Sequence, residues 1–271
     1  MRIADMLLSN GYSVGQQLGE GTYSKVRTAE NLADGRMCAV KIVDRHKARK
    51  DYLQKFMPRE LAIIAKLNHS NIVKCCAIIE NSDYIFQVMD YAEKGDVMSV
   101  IQEEGRLPED VCKRIFQDTL SGMKYLHDMN IAHRDLKCEN ILIFHNNRAA
   151  ISDFGFSCFY NNSADKCQTF CGSKAYASPE VLQGIPYDPK LSDVWSLGIV
   201  LFTMLCGTQP FGDGNVTTMV QKQLWRTYTF PMTTSGTISS KVRQLVHVIL
   251  EPCVNMRPTV ATILVSDWLK K

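Results

Sequence analysis

No two of the ten cysteines in this chain are spaced by two residues, so the sequence carries neither a paired zinc knuckle nor a Cys-x-x-Cys redox motif. The cysteines are scattered through apolar segments, which argues for reduced core thiols over a disulfide framework. A secretory leader is also lacking: Met6-Leu7-Leu8 is too short for its apolar region, and Arg2 stands where N-myristoylation needs glycine. The expectation is a soluble cytoplasmic protein. No apolar run is long enough for a membrane span, since the longest, Val194 to Cys206, carries Ser196 and Gly198 and falls short of roughly 18 to 20 residues. It reads as a buried helix. Charge of one sign is in short supply, because 31 Lys and Arg against 28 Asp and Glu leave a net +3. That is too little to imply nucleic-acid binding, and Arg45 to Lys50 reads as the solvated start of a helix. With 45% hydrophobic and 22% charged residues, disorder does not dominate, and 271 residues suffice for a large core or for two lobes sharing a cleft.

What the chain does have is concentrated between His133 and Gly155. The stretch reads His133-Arg134-Asp135-Leu136-Lys137-Cys138-Glu139-Asn140, then Ile141-Leu142-Ile143, then, past a polar turn, Ile151-Ser152-Asp153-Phe154-Gly155. Apolar triplets on either side of the turn at His145 to Arg148 predict a short hairpin, which brings the loop residues and Asp153 toward one cleft. Asp135 can accept a proton there, while Asn140 and Asp153 offer the hard oxygen ligands that suit Mg²⁺, with substrate phosphates supplying the rest. This is equipment for phosphoryl transfer.

Upstream, Leu18-Gly19-Glu20-Gly21-Thr22-Tyr23-Ser24-Lys25-Val26 places glycines between strand-like segments, a turn able to lie over phosphates with its N–H groups exposed. A plain glycine hairpin explains the turn equally well until Cys38-Ala39-Val40-Lys41 follows at the spacing of the next strand pair. Lys41 ends an apolar strand, where an ammonium is costly to bury without an anion. Glu60, on the helically patterned segment Tyr52 to Leu67, is the expected partner, with a surface glutamate as the plain alternative. Ile72-Val73 and Tyr84 to Met89 read as further strands, and the polar run from Asp90 to Asp96 as a boundary. Helical patterns dominate after it. Val111 to Met129 reads as a long amphipathic helix begun by Leu107-Pro108-Glu109-Asp110. The segment Phe156 to Gln168 is polar and poorly periodic, which predicts mobility. Asp193, beside the longest apolar run, needs a buried donor. The chain closes at Trp268-Leu269-Lys270-Lys271, with no regulatory tail or second domain expected.

The order His-Arg-Asp-Leu-x-x-x-Asn followed by Asp-Phe-Gly resembles the signature of the protein kinases, and the resemblance runs from Gly11-Tyr12 to Trp268. It implies an α+β, bilobal protein-kinase-like fold in one domain over 1–271, with a small β-rich N-lobe with one main helix (about 12–89), a hinge (about 90–96) and a larger, mostly helical C-lobe (about 97–269). ATP and Mg²⁺ are the cofactors implied. By this resemblance Leu18, Gly19, Glu20, Gly21, Thr22, Tyr23, Ser24, Lys25 and Val26 cover the nucleotide, and Ala39 and Leu142 also bind it. Met89 is the gatekeeper, the backbone of Asp90 and Ala92 meets adenine, and Asp96 reaches the ribose. Lys41, paired with Glu60, holds phosphates; Asp135 is the base; Lys137 neutralises charge on the transferred group; Asn140 and Asp153 hold the metal. Asp193 braces the catalytic loop, and Arg257 pairs with Glu180. Lys137 and Ser173 resemble the pair that narrows the site to serine or threonine acceptors, and Glu139 the acid that reads an upstream arginine, although Thr203 stands where strongly basophilic kinases have a second acid.

Thr169 lies in the polar segment before Ser173. Its plain reading is a loop threonine, but Arg134 needs an anion, and a phosphate on Thr169 supplies one. Asp165 is the nearest acid in sequence. Longer strings, among them Leu7 to Tyr12, Gln168-Thr169-Phe170-Cys171-Gly172-Ser173 and Pro179 to Lys190, are similar to the testis-specific serine/threonine kinases, a branch of the calcium/calmodulin-dependent kinase-like group. In that branch serine is usual at the third-glycine position occupied here by Ser24. Ser178 departs from the alanine of Ala-Pro-Glu, and Ser266-Asp267-Trp268 from the usual His-x-Trp. The resemblance implies protein substrates, an upstream kinase acting on Thr169, a monomer without nucleic-acid or membrane partners, and a role in sperm development. Two alternatives stand beside it. A pseudokinase scaffold would be favoured by loss of Lys41, Asp135, Asn140 or Asp153, all of which are present; a small-molecule phosphotransferase is disfavoured by Ser173 and the Pro179-Glu180 segment.

Overall fold

A computed structural model describes residues 2–21, 23–160, 166–212, 214–231 and 238–270, and the chain divides between Glu93 and Lys94 into two compact units. The first unit opens with helix α1 (Ile3–Ser9), followed by strands β1 (Tyr12–Glu20), β2 (Ser24–Asn31) and β3 (Met37–Asp44), helix α2 (Met57–Ile64), and strands β4 (Cys75–Glu80) and β5 (Tyr84–Asp90). The strands form one antiparallel sheet in the order β1-β2-β3-β5-β4. Met6 and Leu7 of α1 pack with Ala29, Cys38, Val40, Ile42, Phe86 and Val88, so a helix that the short Met6-Leu7-Leu8 run did not announce covers one side of the sheet core. Its punctuation was nevertheless present, with Asp5 in the first turn and Asn10-Gly11 as a stop.

Two expectations change here. Tyr52 to Leu67 is not one regular helix: Tyr52–Phe56 forms a π-helical turn, capped by Asp51 accepting from the Tyr52 N–H, before α2 begins. Pro58 has no N–H to donate, so the ladder is interrupted where the two meet and the turn before it widens. Ile72 and Val73 lie outside β4: both are buried, and Ile72 makes only a single bridge, after a turn closed by the Ile72 N–H on the His69 carbonyl. The charge cluster is solvated and meets acids, Arg45 with Glu80, His46 with Asp83 and Arg49 with Asp51.

In the second unit α3 (Val97–Glu104) and α4 (Glu109–Asp128) precede the short strands β6 (Ile131–Ala132), β7 (Ile141–Ile143), β8 (Ala149–Ile151) and β9 (Cys158–Phe159); α5 (Pro179–Leu182), α6 (Pro189–Cys206), α7 (Val216–Leu224), α8 (Ser240–Ile249) and α9 (Val260–Leu264) follow. β7 and β8 pair as the predicted hairpin, with Ile141 opposite Ile151. β9 pairs with β6, so Cys158 and Phe159, within the segment expected to be mobile, are held in a ladder; Cys167 is held against Tyr187 by a further bridge. Asp165 lies outside the described residues. α6 starts five residues before the apolar run, because Pro189 suits a first helical position and the Asp188 carboxylate caps the N–H groups of Lys190 and Leu191. At 18 residues α6 is long and apolar enough to cross a membrane, yet 89% of it is buried as the central helix of this unit. Gly198 lets it approach α8: a Cβ there would lie 2.6 Å from Leu250 and 2.9 Å from Ile249. None of the ten cysteines forms a disulfide, and burial pushes the thiols of Cys138 and Cys206 up to about 12.

Candidate active site

Within the first unit, β3 delivers Lys41 and α2 delivers Glu60. The Lys41 ammonium lies 2.8 Å from Glu60 Oε1, with Lys41 14% and Glu60 only 1% exposed, so each charge has its partner where water is scarce. Ala39, buried, and Met89, half-buried, are cross-strand partners on β3 and β5; Asp90 is half-buried and Ala92 buried. The glycine turn is a tight hairpin. Gly19 pairs with Val26 and Glu20 with Lys25, and the Gly21 N–H donates to the Ser24 carbonyl at 2.7 Å, so this one of the expected exposed donors is already engaged. Leu18 is exposed, Lys25 pairs with Glu20 at the surface, and Tyr23 packs on Tyr52 at 5.3 Å. Thr22 lies outside the described residues.

In the second unit the loop from His133 to Asn140 is pinned from beneath. Asp193, 1% exposed, accepts from the backbone N–H groups of His133 (2.9 Å) and Arg134 (2.8 Å) and meets His127 Nε2 at 3.1 Å, the buried donors that its position demanded. His133 Nε2 meets the Ser152 carbonyl at 3.0 Å, tying the loop to the residue before Asp153. Asp135 is buried and used on both oxygens: Oδ1 accepts from the Ser173 N–H at 2.8 Å, while Oδ2 meets Lys137 Nζ at 3.3 Å and Asn140 Nδ2 at 3.4 Å. Lys137 also donates to Ser173 Oγ at 2.9 Å. Asn140 Nδ2 further binds the Asp135 carbonyl at 2.8 Å, and the Ser152 N–H and hydroxyl both donate to the Asn140 carbonyl. The hairpin therefore holds Asn140 one residue from Asp153, which is exposed and has φ +58°.

Sequence reasoning missed how the segment after Thr169 closes on this loop. Gly172 sits at φ +85°, and a Cβ there would meet the Arg134 carbonyl at 2.4 Å; glycine alone allows the approach that delivers the Ser173 N–H to Asp135. Tyr176 was also missed. Its phenol accepts from the Cys138 N–H and donates to Glu139 Oε2 at 3.3 Å, holding an otherwise exposed acid, while Ser196 and Gln223 bind the carbonyls of Tyr176 and Ala177 from below. Arg134 (φ +64°) donates to the Phe156 carbonyl at 2.7 Å. The Tyr187 phenol, hydrogen-bonded with Arg134, donates to the carbonyl of exposed Thr169 at 3.2 Å, so Arg134 and Thr169 share one neighbour. Burial raises the Tyr187 hydroxyl above its usual range, so it stays a neutral donor.

Asp96, expected to reach the ribose, has both carboxylate oxygens engaged. It caps α3, with Oδ1 accepting from the Ser99 N–H and Oδ2 from the Ser99 hydroxyl, and half-buried Leu142 bridges to its backbone. Arg257 and Glu180 form a buried bidentate pair at 2.7 and 3.0 Å.

Residues 12–269 match the family model of the protein kinase domain. The sequence is 43% identical to testis-specific serine/threonine-protein kinase 1 of Mus musculus over 98% of this chain and 74% of the relative, and 43% identical to testis-specific serine/threonine-protein kinase 3 of Mus musculus over 98% of both. Testis-specific serine/threonine-protein kinase 4 of Homo sapiens is 35% identical over 96% of this chain and 83% of its own. With matches across both units, the chain belongs to the protein kinase family, among the testis-specific serine/threonine kinases, and is a protein serine/threonine kinase.

Proposed function

We propose that this kinase transfers the γ-phosphoryl group of ATP to serine and threonine hydroxyls of proteins, with Asp135 as the group that takes the hydroxyl proton. The observation that carries this reading is the Asp135 carboxylate, fixed on one oxygen by the Ser173 N–H and on the other by Lys137 and Asn140. A base held this way faces a short acceptor side chain in one orientation. Lys137, shared between Asp135 and Ser173, neutralises charge on the transferred group.

Protein kinases use ATP and Mg²⁺, and the donors here fit that metal. Asn140 spends its amide nitrogen on Asp135, which leaves its oxygen as a hard ligand, and exposed Asp153 follows Ser152, which binds the Asn140 carbonyl. Among the described residues no three His, Cys, Asp or Glu side chains gather into a cage, and Mg²⁺ asks for only one or two protein carboxylates when phosphates complete its shell. When bound, the ion, held by Asn140 and Asp153, would neutralise phosphate charge, and Lys41 would hold phosphates.

Glu139, steadied by Tyr176, reads an arginine upstream of the acceptor. That preference is modest, because buried Thr203 spends its hydroxyl on the Ile199 carbonyl and adds no second acid. Phosphate on Thr169 pairs with Arg134 and orders the segment that presents Ser173 to Asp135. The relatives' names carry the further reading that the kinase acts in sperm development.

The test is an arrayed library of Ser, Thr and Tyr peptides with Mg²⁺ and ATP. Transfer to Ser and Thr with a gain from upstream arginine is expected. Transfer to tyrosine overturns the acceptor assignment, and no transfer to any peptide or protein supports a scaffold instead.

A further inference from the structure

Gln87 is a polar residue at the centre of β5 and only 3% exposed, where an amide is costly unless bonded. It is the direct cross-strand partner of Lys41 on β3. Its Nε2 lies 3.2 Å from Glu60 Oε1 and 3.8 Å from Met57 Sδ. Both neighbours can only accept from it, so the amide must point its NH₂ at them. Glu60 Oε1 thus receives two donors, the Lys41 ammonium at 2.8 Å and the Gln87 amide, while the buried Oε2 has no hydrogen-bond partner among the described residues. The carboxylate is held by one oxygen only.

We propose that Gln87 is a positioning residue for nucleotide binding, keeping Glu60 aligned so that Lys41 stays aimed at phosphate. The inference rests on the reading that Lys41 holds ATP phosphates. A carboxylate that is 1% exposed needs compensation at all times, yet phosphate draws on the same ammonium that compensates it. A neutral donor on the same oxygen holds the carboxylate in place without adding a charge that would compete for Lys41 or for phosphate. Gln87 does this from a strand interior, where its own position is set by the ladders to β3 and β4.

Steady-state kinetics of the full chain on a serine peptide test the inference, with thermal melting to check folding. Gln87→Met keeps the length and removes the donor. We expect its KM for ATP to rise about three- to tenfold, the size of one hydrogen bond, with the KM for peptide unchanged. In a Glu60→Gln background the same substitution should add nothing, since its effect runs through Glu60. A wild-type KM for ATP in Gln87→Met overturns the inference, and so does an equal loss with and without Glu60. If Gln87→Met does not fold, Gln87→Asn, which keeps the amide but shortens its reach, should show the same rise in KM for ATP, and a wild-type value there is equally fatal. Lys41→Met and Asp135→Asn separate the two levels. If both are inactive while Gln87→Met behaves as wild type, only the role of Gln87 falls. If Lys41→Met binds and uses ATP as wild type does, the reading of Lys41 fails and takes this inference with it.

Discussion

Asp135 meets donors from the loop that carries it and from the segment after Thr169, so the proposed base and the proposed switch would act on one carboxylate. Asp135→Asn keeps the shape and removes the base; turnover should fall by roughly two orders of magnitude or more, the usual loss for a positioned base, while ATP affinity stays near wild type. Near-normal turnover on a serine peptide would remove Asp135 from the role. Asp153→Ala removes one of the two proposed metal ligands, so titration of nucleotide with and without Mg²⁺ should lose the metal-dependent gain in affinity. The Tyr187 phenol touches both Arg134 and the Thr169 carbonyl, and on the reading proposed above a phosphate on Thr169 would give Arg134 an anion. Thr169→Ala should lower activity severalfold with ATP affinity intact, and Arg134→Ala should make phosphorylated and phosphatase-treated enzyme equal. Equal activity of the two wild-type forms would show that Thr169 is not the switch.

Between elements, the close approaches are made by residues with little side chain. α6 lies against α8 because Gly198 has nothing to set between them, and a Cβ there would fall inside contact with Ile249 and Leu250. Gly198→Val should cost about 1–3 kcal/mol by overpacking, seen as a lower denaturation midpoint with unchanged slope. No loss of stability would mean that α8 moves aside freely. The first unit shows the opposite case, in which a side chain defines the relation: α2 is set against β3 and β5 by Glu60 meeting Lys41 and Gln87, and by Met57 meeting Val43 and Ile85.

At the scale of the whole molecule, the most buried ion pair among the described residues joins Arg257 and Glu180. Arg257, with no exposed side chain, holds Glu180 in two hydrogen bonds and also donates to the carbonyls of Leu191 and Glu251, so residues from Glu180 to Arg257 close on one guanidinium. Arg257→Met leaves a buried carboxylate without its cation and should destabilise the fold by about 3–5 kcal/mol, whereas Glu180→Gln with Arg257→Met together should lose less than Arg257→Met alone. Much of this molecule was legible from residue order. Loop acids and the amide at tight spacing, the apolar triplets of the hairpin, Pro108 before α4 and the long apolar run of α6 are local signals, because backbone geometry and turn chemistry act over a few residues. Lys41 with Glu60 was legible through the cost of burying a charge together with family resemblance, and Arg257 with Glu180 through the resemblance alone. What only the tertiary structure decided lies in contacts between segments far apart in sequence: the two oxygens of Asp135 divided between Ser173 and its own loop, Gly172 against Arg134, Tyr176 on Glu139, Tyr187 between Arg134 and Thr169, and Gln87 on Glu60. A hydrogen bond closes over about 3 Å whatever the length of chain between its partners, and no periodicity or spacing records which distant donor will arrive.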